Sequence, residues 1–166
     1  FRDQYGPADR NNSFHGLSIS YALQPIPPGR SKPLGTADAL LCALRAREDW
    51  RGKRFTVCNS DNLYSCRALR LLLEDTHPAA LIDYDRDALQ FEQSRIEQFS
   101  VIRKNTAGFL AAIVEKPTPA EIAAAADRDG RVGVSMNIFR FAFDRILPLL
   151  DRVPLHPFRQ EKEIPT

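Results

Sequence analysis

Cysteine, methionine and tryptophan are scarce in this chain, at 3, 1 and 1 of 166 residues. The cysteines, Cys42, Cys58 and Cys66, are odd in number and lack paired metal-site spacing, which argues against a disulfide framework or a structural zinc centre. Cys58 in an apolar run and Cys42 on an apolar helix face read as small buried hydrophobes, and a reducing, cytoplasmic home is the expectation. No apolar stretch approaches the ~18 residues that a membrane helix needs, and the opening residues show no signal-peptide pattern. Charge of one sign is also missing: 23 basic and 21 acidic residues mix along the chain and leave a net +2. That gives neither nucleic acid nor an anionic membrane a surface to bind. There is no internal repeat and no low-complexity tract. Phe1-Arg2-Asp3-Gln4-Tyr5-Gly6 does not resemble a natural start, so the chain reads as a fragment of a longer protein or one whose first residues are missing.

What is present is 43% hydrophobic residues, enough for one proper core and a single domain over 1–166. Leu17, Ile19, Tyr21 and Leu23 alternate with small polar residues, as in a strand with one apolar face. Residues 25–33 hold four of the twelve prolines and read as a loop. Ala37, Leu40, Leu41 and Leu44 recur at helical spacing behind Thr36 as N-cap. A strand over 54–58 runs up to Asp61, and Ser65 caps a helix to about Asp75 that turns Leu69, Leu72 and Leu73 inward. Ala79 to Tyr84 suits a buried strand. Two strands, 99–103 and 109–114, flank a turn and read as a hairpin. Thr118-Pro119-Ala120-Glu121 has the form of a capping box, opening an alanine-rich turn that ends near Asp129-Gly130. Val132 to Ile138 alternates as a strand with a polar face, and Phe143 to Leu150 forms a last helix strained or broken near Pro148. Alternating strands and helices imply an α/β fold, with a largely parallel sheet covered on both faces and a hairpin inserted.

Three segments carry chemistry. Gly35-Thr36 precedes a helix, so backbone N–H groups and the positive dipole end face whatever docks there; an ordinary loop-to-helix turn has the same form. Asp61 lies just past the carboxyl end of a strand, where open α/β sheets bind ligands, and a carboxylate there suits Mg²⁺ shared with substrate phosphates; a turn cap is the plainer role. Glu115-Lys116-Pro117 ends a strand with an acceptor for sugar hydroxyls and a point charge for a phosphate, or with a surface ion pair. Asn137, on the polar face of its strand, can bind hydroxyls or satisfy neighbouring backbone.

Taken in order, Leu34-Gly35-Thr36-Ala37, Asn59-Ser60-Asp61, Phe99-Ser100, Glu115-Lys116-Pro117, Val134 to Ile138 and Glu161 to Thr166 resemble the sugar-phosphate nucleotidyltransferases, or NDP-sugar pyrophosphorylases. The resemblance runs from about Leu17 to Thr166. It implies a three-layer αβα, Rossmann-like, mixed but mostly parallel sheet of the nucleotide-diphospho-sugar transferase type. It also implies transfer of a nucleotidyl group from an NTP to a sugar-1-phosphate, giving NDP-sugar and pyrophosphate. Leu34, Gly35, Thr36 and Asn59 would line the nucleotide. Ser100, Glu115, Lys116 and Asn137 would hold the sugar phosphate. Asp61 would bind catalytic Mg²⁺, and Lys116 would orient the attacking phosphate. Ser60 and Ser100 stand where the family usually has Gly. The Gly-x-Gly-Thr-Arg loop that grips the triphosphate and the later metal-sharing Asp are both absent from the sequence. The chain is therefore expected to be the central part of such a domain, silent in catalysis and poorly folded by itself. A sugar-nucleotide-binding homologue acting as sensor or subunit, and a transferase for another phosphorylated alcohol such as phosphocholine, are the alternatives. A homo-oligomer is compatible with all three.

Overall fold

The computed structural model describes residues 12–164. A minimal antiparallel hairpin comes first, β1 (Ser13–Phe14) with β2 (Leu17–Ser18). The alternation through Leu23 does not extend it: residues 19–27 form no regular element, so the expected strand shrinks to two residues. An alternating pattern makes a strand only where a neighbour takes up its backbone groups. Then follow α1 (Thr36–Arg45), a single 3₁₀ turn (Glu48–Trp50), β3 (Arg54–Cys58) and α2 (Cys66–Glu74). Next are β4 (Ala79–Leu81), β5 (Tyr84–Asp85), α3 (Gln93–Ile96), and the hairpin β6 (Ser100–Lys104) with β7 (Leu110–Val114). The chain ends with α4 (Pro119–Ala124), β8 (Gly133–Ser135), β9 (Ile138–Ala142) and α5 (Phe143–Leu150).

The expectation of a mostly parallel, Rossmann-like αβα sheet is overturned. Beyond β1–β2 the strands form a three-stranded sheet in the order β3-β9-β4 and a four-stranded sheet in the order β5-β8-β6-β7, and every described pair is antiparallel. Alternating strands and helices give parallel neighbours only if consecutive strands lie side by side. Here β9 arrives from far along the chain and inserts between β3 and β4, pairing Phe55 with Phe141 and Ala80 with Arg140.

Two apolar runs that read as single strands are each broken into two. The 79–84 run stops at Ile82–Asp83 and the 132–138 run at Met136–Asn137, where Asn137 takes φ 55. Both breaks carry the chain between the three-stranded and the four-stranded sheet. Helix boundaries follow local chemistry more closely. Ser65 Oγ accepts the Ala68 N–H at 3.1 Å, and Thr118 and Glu121 form the full capping box. The helix behind Thr118 ends at Ala124, short of Asp129-Gly130. Thr36 is the first residue of α1 rather than its cap; Gly35 caps it with φ 106 and no side-chain bond.

The main core packs Ala37, Leu40, Leu41 and Leu44 of α1 against Phe143 and Leu150 of α5, over Phe55 of β3. A smaller cluster, Val101, Ala125 and Val134, lies under the four-stranded sheet. In α2 only Ala68 and Leu72 are buried, because their i, i+4 spacing sets the inward stripe; Leu69 and Leu73, expected inside, are exposed. Cys58 is exposed too, and Cys42 is half-buried with its thiol pushed up by burial first and by Asp38 second. No helix among the described residues is long and apolar enough to cross a membrane.

Phe143 is fully buried and Leu149, on the same helix, is 54% exposed. Phe143→Ala is therefore expected to cost about 3–5 kcal/mol, and Leu149→Ala within about 0.5 kcal/mol. Urea midpoints at unchanged slope measure both; equal losses would contradict the packing described.

Candidate functional site

The loop before α1 is closed by the chain's own last described segment. The Lys162 N–H donates to Leu34 O at 2.5 Å, the Ala37 N–H donates to Lys162 O at 3.0 Å, and the Ile164 N–H donates to Thr36 Oγ1 at 3.1 Å. A first-turn amide that would otherwise face a ligand is thus satisfied by backbone. Gly35 is needed here on two counts: its φ is 106, and a Cβ would lie 2.5 Å from Lys162 O. Lys32 pairs with Glu161, holding that carboxylate below its ordinary range, and Gln24 Nε2 donates to Gly35 O at 2.9 Å and to Asp38 Oδ2 at 2.8 Å. A shallow pocket of about 280 Å³ remains open between Gln24, Lys32, Thr36 and Glu161.

The same segment reaches the Glu-Lys-Pro turn. Arg159 pairs with Glu115 through one nitrogen and with Glu163 Oε1 through the other at 2.8 Å. Burial first, and the Glu115 charge second, push Glu163 above the usual carboxylate range, while Arg159 opposes them. Lys116 follows with φ 47 and its side chain exposed, making no hydrogen bond or ion pair among the described residues. Left-handed backbone in a lysine is costly and marks a place where the surroundings dictate the conformation. Asn137 is a second such residue, and Gln160, beside Arg159, a third.

The four-stranded sheet joins this turn to Asn137. Val101 pairs with Val114, so Ser100 and Glu115 are the next residues outward at that end, and Ser100 itself pairs with the buried Ser135. The Asn137 N–H donates to Ser135 Oγ at 3.3 Å. From the other side, Tyr64 reaches the Met136 and Asn137 carbonyls at 2.9 and 3.2 Å and accepts the Asn59 N–H at 3.3 Å. Asp61 projects from that turn, exposed and with no hydrogen bond or ion pair among the described residues. A contiguous arc therefore runs from Leu34-Gly35-Thr36 through Arg159 and Glu163 to Glu115-Lys116, Ser100, Asn137, Asn59 and Asp61.

Among the described residues no group of three or more His, Cys, Asp or Glu is placed to hold a metal ion. Asp61 can give one oxygen ligand. That donor set fits an ion such as Mg²⁺ only if it comes with phosphate oxygens and keeps several waters. A larger pocket, about 740 Å³, opens at the opposite end of β6, around the ion network of Asp83, Lys104, Asp127 and Arg131, and none of the arc residues lines it.

Sequence reasoning passed over Arg159, Tyr64, Asn62, Ser135 and Gln24. Arg159 had a readable signal, since it precedes Glu163 by four residues. Gln24, Asn62 and Tyr64 each reach partners far along the chain, and Ser135 is placed by its pairing with Ser100, so no local pattern marks their roles. No protein-family model matches the chain, and no curated protein matches it.

Two outcomes test this geometry. Gly35→Ala adds both a strained φ and a clash with the 162 backbone and should cost roughly 1–3 kcal/mol. Gly52→Ala, at φ +73 with nothing within 4 Å of its Cβ, should cost less. Denaturation midpoints compare them, and equal costs would mean that the tail segment does not sit against Gly35. For Glu163, a folded pKa above the unfolded one means that the native state binds more protons. Stability therefore falls as pH rises from the ordinary glutamate value, about 4.3, through the raised folded value. Glu163→Gln should flatten that part of the pH profile; an unchanged slope would contradict the burial of this carboxyl.

Proposed function

We propose that this chain takes part in nucleotidyl transfer from an NTP to a sugar-1-phosphate, with release of pyrophosphate. The observation that carries the reading is the arc itself: residues from six segments spread over 34–164 are linked by hydrogen bonds, ion pairs and strand pairing. An acceptor-phosphate oxygen attacks the α-phosphorus, the bond to the bridging oxygen of the pyrophosphate breaks, and pyrophosphate leaves with that electron pair. Little covalent work falls to the protein, so the residues act by position and charge. Lys116, unpaired and exposed, orients the attacking phosphate. Glu115, Ser100 and Asn137 accept or donate hydrogen bonds to sugar hydroxyls, and the ion pair with Arg159 fixes the Glu115 carboxylate. The backbone of Leu34-Gly35-Thr36 and Asn59 borders the nucleotide, and Asp61 offers a carboxylate ligand beside it. Magnesium bound between Asp61 and the nucleotide phosphates would supply charge neutralisation at the α-phosphorus.

A second reading is a sugar-nucleotide-binding sensor or subunit without catalysis. It is favoured by one observation: the Lys162 backbone lies against Gly35 and takes the Ala37 N–H, which narrows access to the start of α1.

Substitutions in the full-length protein separate the two. Asp61→Asn should cut Mg²⁺-dependent pyrophosphate release by orders of magnitude with the fold intact. Lys116→Ala should weaken sugar-1-phosphate binding far more than NTP binding, and Glu115→Gln should change the ranking of sugars. Near-normal turnover in Asp61→Asn would sink the assignment of that residue. Binding of sugar nucleotides without any pyrophosphate release by the unaltered protein would support the sensor.

A further inference from the structure

The Tyr64 hydroxyl, with the Asn62 amide beside it, links the two sides of the arc. Tyr64 Oη accepts the Asn59 N–H at 3.3 Å and Asn62 Nδ2 at 3.1 Å, and it faces the Met136 and Asn137 carbonyls at 2.9 and 3.2 Å. Asn62 Nδ2 reaches Met136 O as well, at 3.2 Å. The first pair of contacts holds the turn that carries Asn59 and Asp61. The second holds the Met136–Asn137 crossing between the sheets, where Asn137 is kept at φ 55 beside Ser135 and Ser100.

We propose that Tyr64 is a positioning residue whose hydroxyl couples the Asn59–Asp61 turn to the Asn137 crossing, so that binding on one side of the arc sets the geometry of the other. This deepens the nucleotidyl-transfer reading and rests on it. A phenol has one proton and two lone pairs, and here the donor and both acceptor capacities are used between two segments more than 70 residues apart. Removing the oxygen leaves the ring in place and only the Asn62–Met136 hydrogen bond between the two segments, which loosens one against the other.

The test is Tyr64→Phe in the full-length protein, read in two ways. Calorimetry measures glucose-1-phosphate binding with and without α,β-methylene analogues of the common NTPs, which cannot transfer. In the unaltered protein each probe should tighten the other by about fivefold or more. In Tyr64→Phe that factor should fall to about one, with each separate affinity changed less than about threefold. Hydrogen exchange should show the amides of 59–62 and 136–138 opening together, about fivefold faster, as expected for one lost hydrogen bond. Intact coupling in the variant, faster exchange in one segment only, or loss of the whole fold would overturn the proposal. In the last case the hydroxyl would be holding the molecule rather than the site. If the unaltered protein binds neither probe, nucleotidyl transfer fails as a reading, while the exchange measurement still decides whether Tyr64 joins the two segments.

Discussion

Strand β9 is the constraint on which the rest of the structure depends. Its backbone groups are taken up on one edge by β3 over five residue pairs and on the other by β4 over three, so it forms the middle of a sheet whose outer strands come from much earlier in the chain. Ile138, Phe139 and Arg140 are all buried there. A buried guanidinium must be satisfied, and Arg140 donates to the Asp75 carbonyl, to which Arg54 of β3 also donates at 3.3 Å. Two cations from adjacent strands thus close the C-terminal end of α2, where helix carbonyls lack partners and the dipole favours positive charge. Phe143 then follows β9 directly into the core against α1. Sheet, helix end and core meet on one six-residue stretch, Ile138–Phe143.

The same insertion decides where the site can form. Because β9 belongs to one sheet and β8 to the other, the chain must cross between them at Met136–Asn137, and a second crossing runs alongside at Ile82–Asp83. The end of the four-stranded sheet that holds Ser100 and Glu115 is thereby brought next to the turn after β3. The segment 159–164 completes the arrangement, bonded to the α1 loop on one side and to Glu115 through Arg159 on the other. Three of the five described non-glycine residues with positive φ, Lys116, Asn137 and Gln160, lie there, while Asn12 and His15 belong to the β1–β2 hairpin; unusual dihedrals of this kind persist where surrounding contacts over-determine them.

Features set within a few residues were legible in the sequence. The Thr118–Glu121 capping box, the Ser65 cap and the helix Thr36–Arg45 rest on interactions within about one turn, so the pattern contains its own cause; the hairpin of β6 and β7 pairs across one short turn, while the run Arg54–Cys58 marks a strand whose partner, β9, comes from far along the chain. Pro148, expected to strain or break the last helix, lies inside it, and the helix runs on unbroken from Phe143 to Leu150. The individual chemical candidates were legible in the same way, as residue types at strand and helix ends. Strand direction was not, because a run of alternating strands and helices is silent about which strand becomes whose neighbour. Nor were the breaks at Ile82–Asp83 and Met136–Asn137, where apolar periodicity runs on unbroken while the chain changes sheets. Leu69 and Leu73 looked like core for a related reason: periodicity marks which face a helix could bury, and only packing determines how much of it is covered. What the sequence determined by itself was the local elements and their caps. The order of the strands, the meeting of Glu115 with Arg159, the link from Asn59 to Asn137 through Tyr64, and the closure of Gly35 under Lys162 were decided by tertiary structure alone, since each depends on hydrogen bonds or charges between residues far apart in the chain.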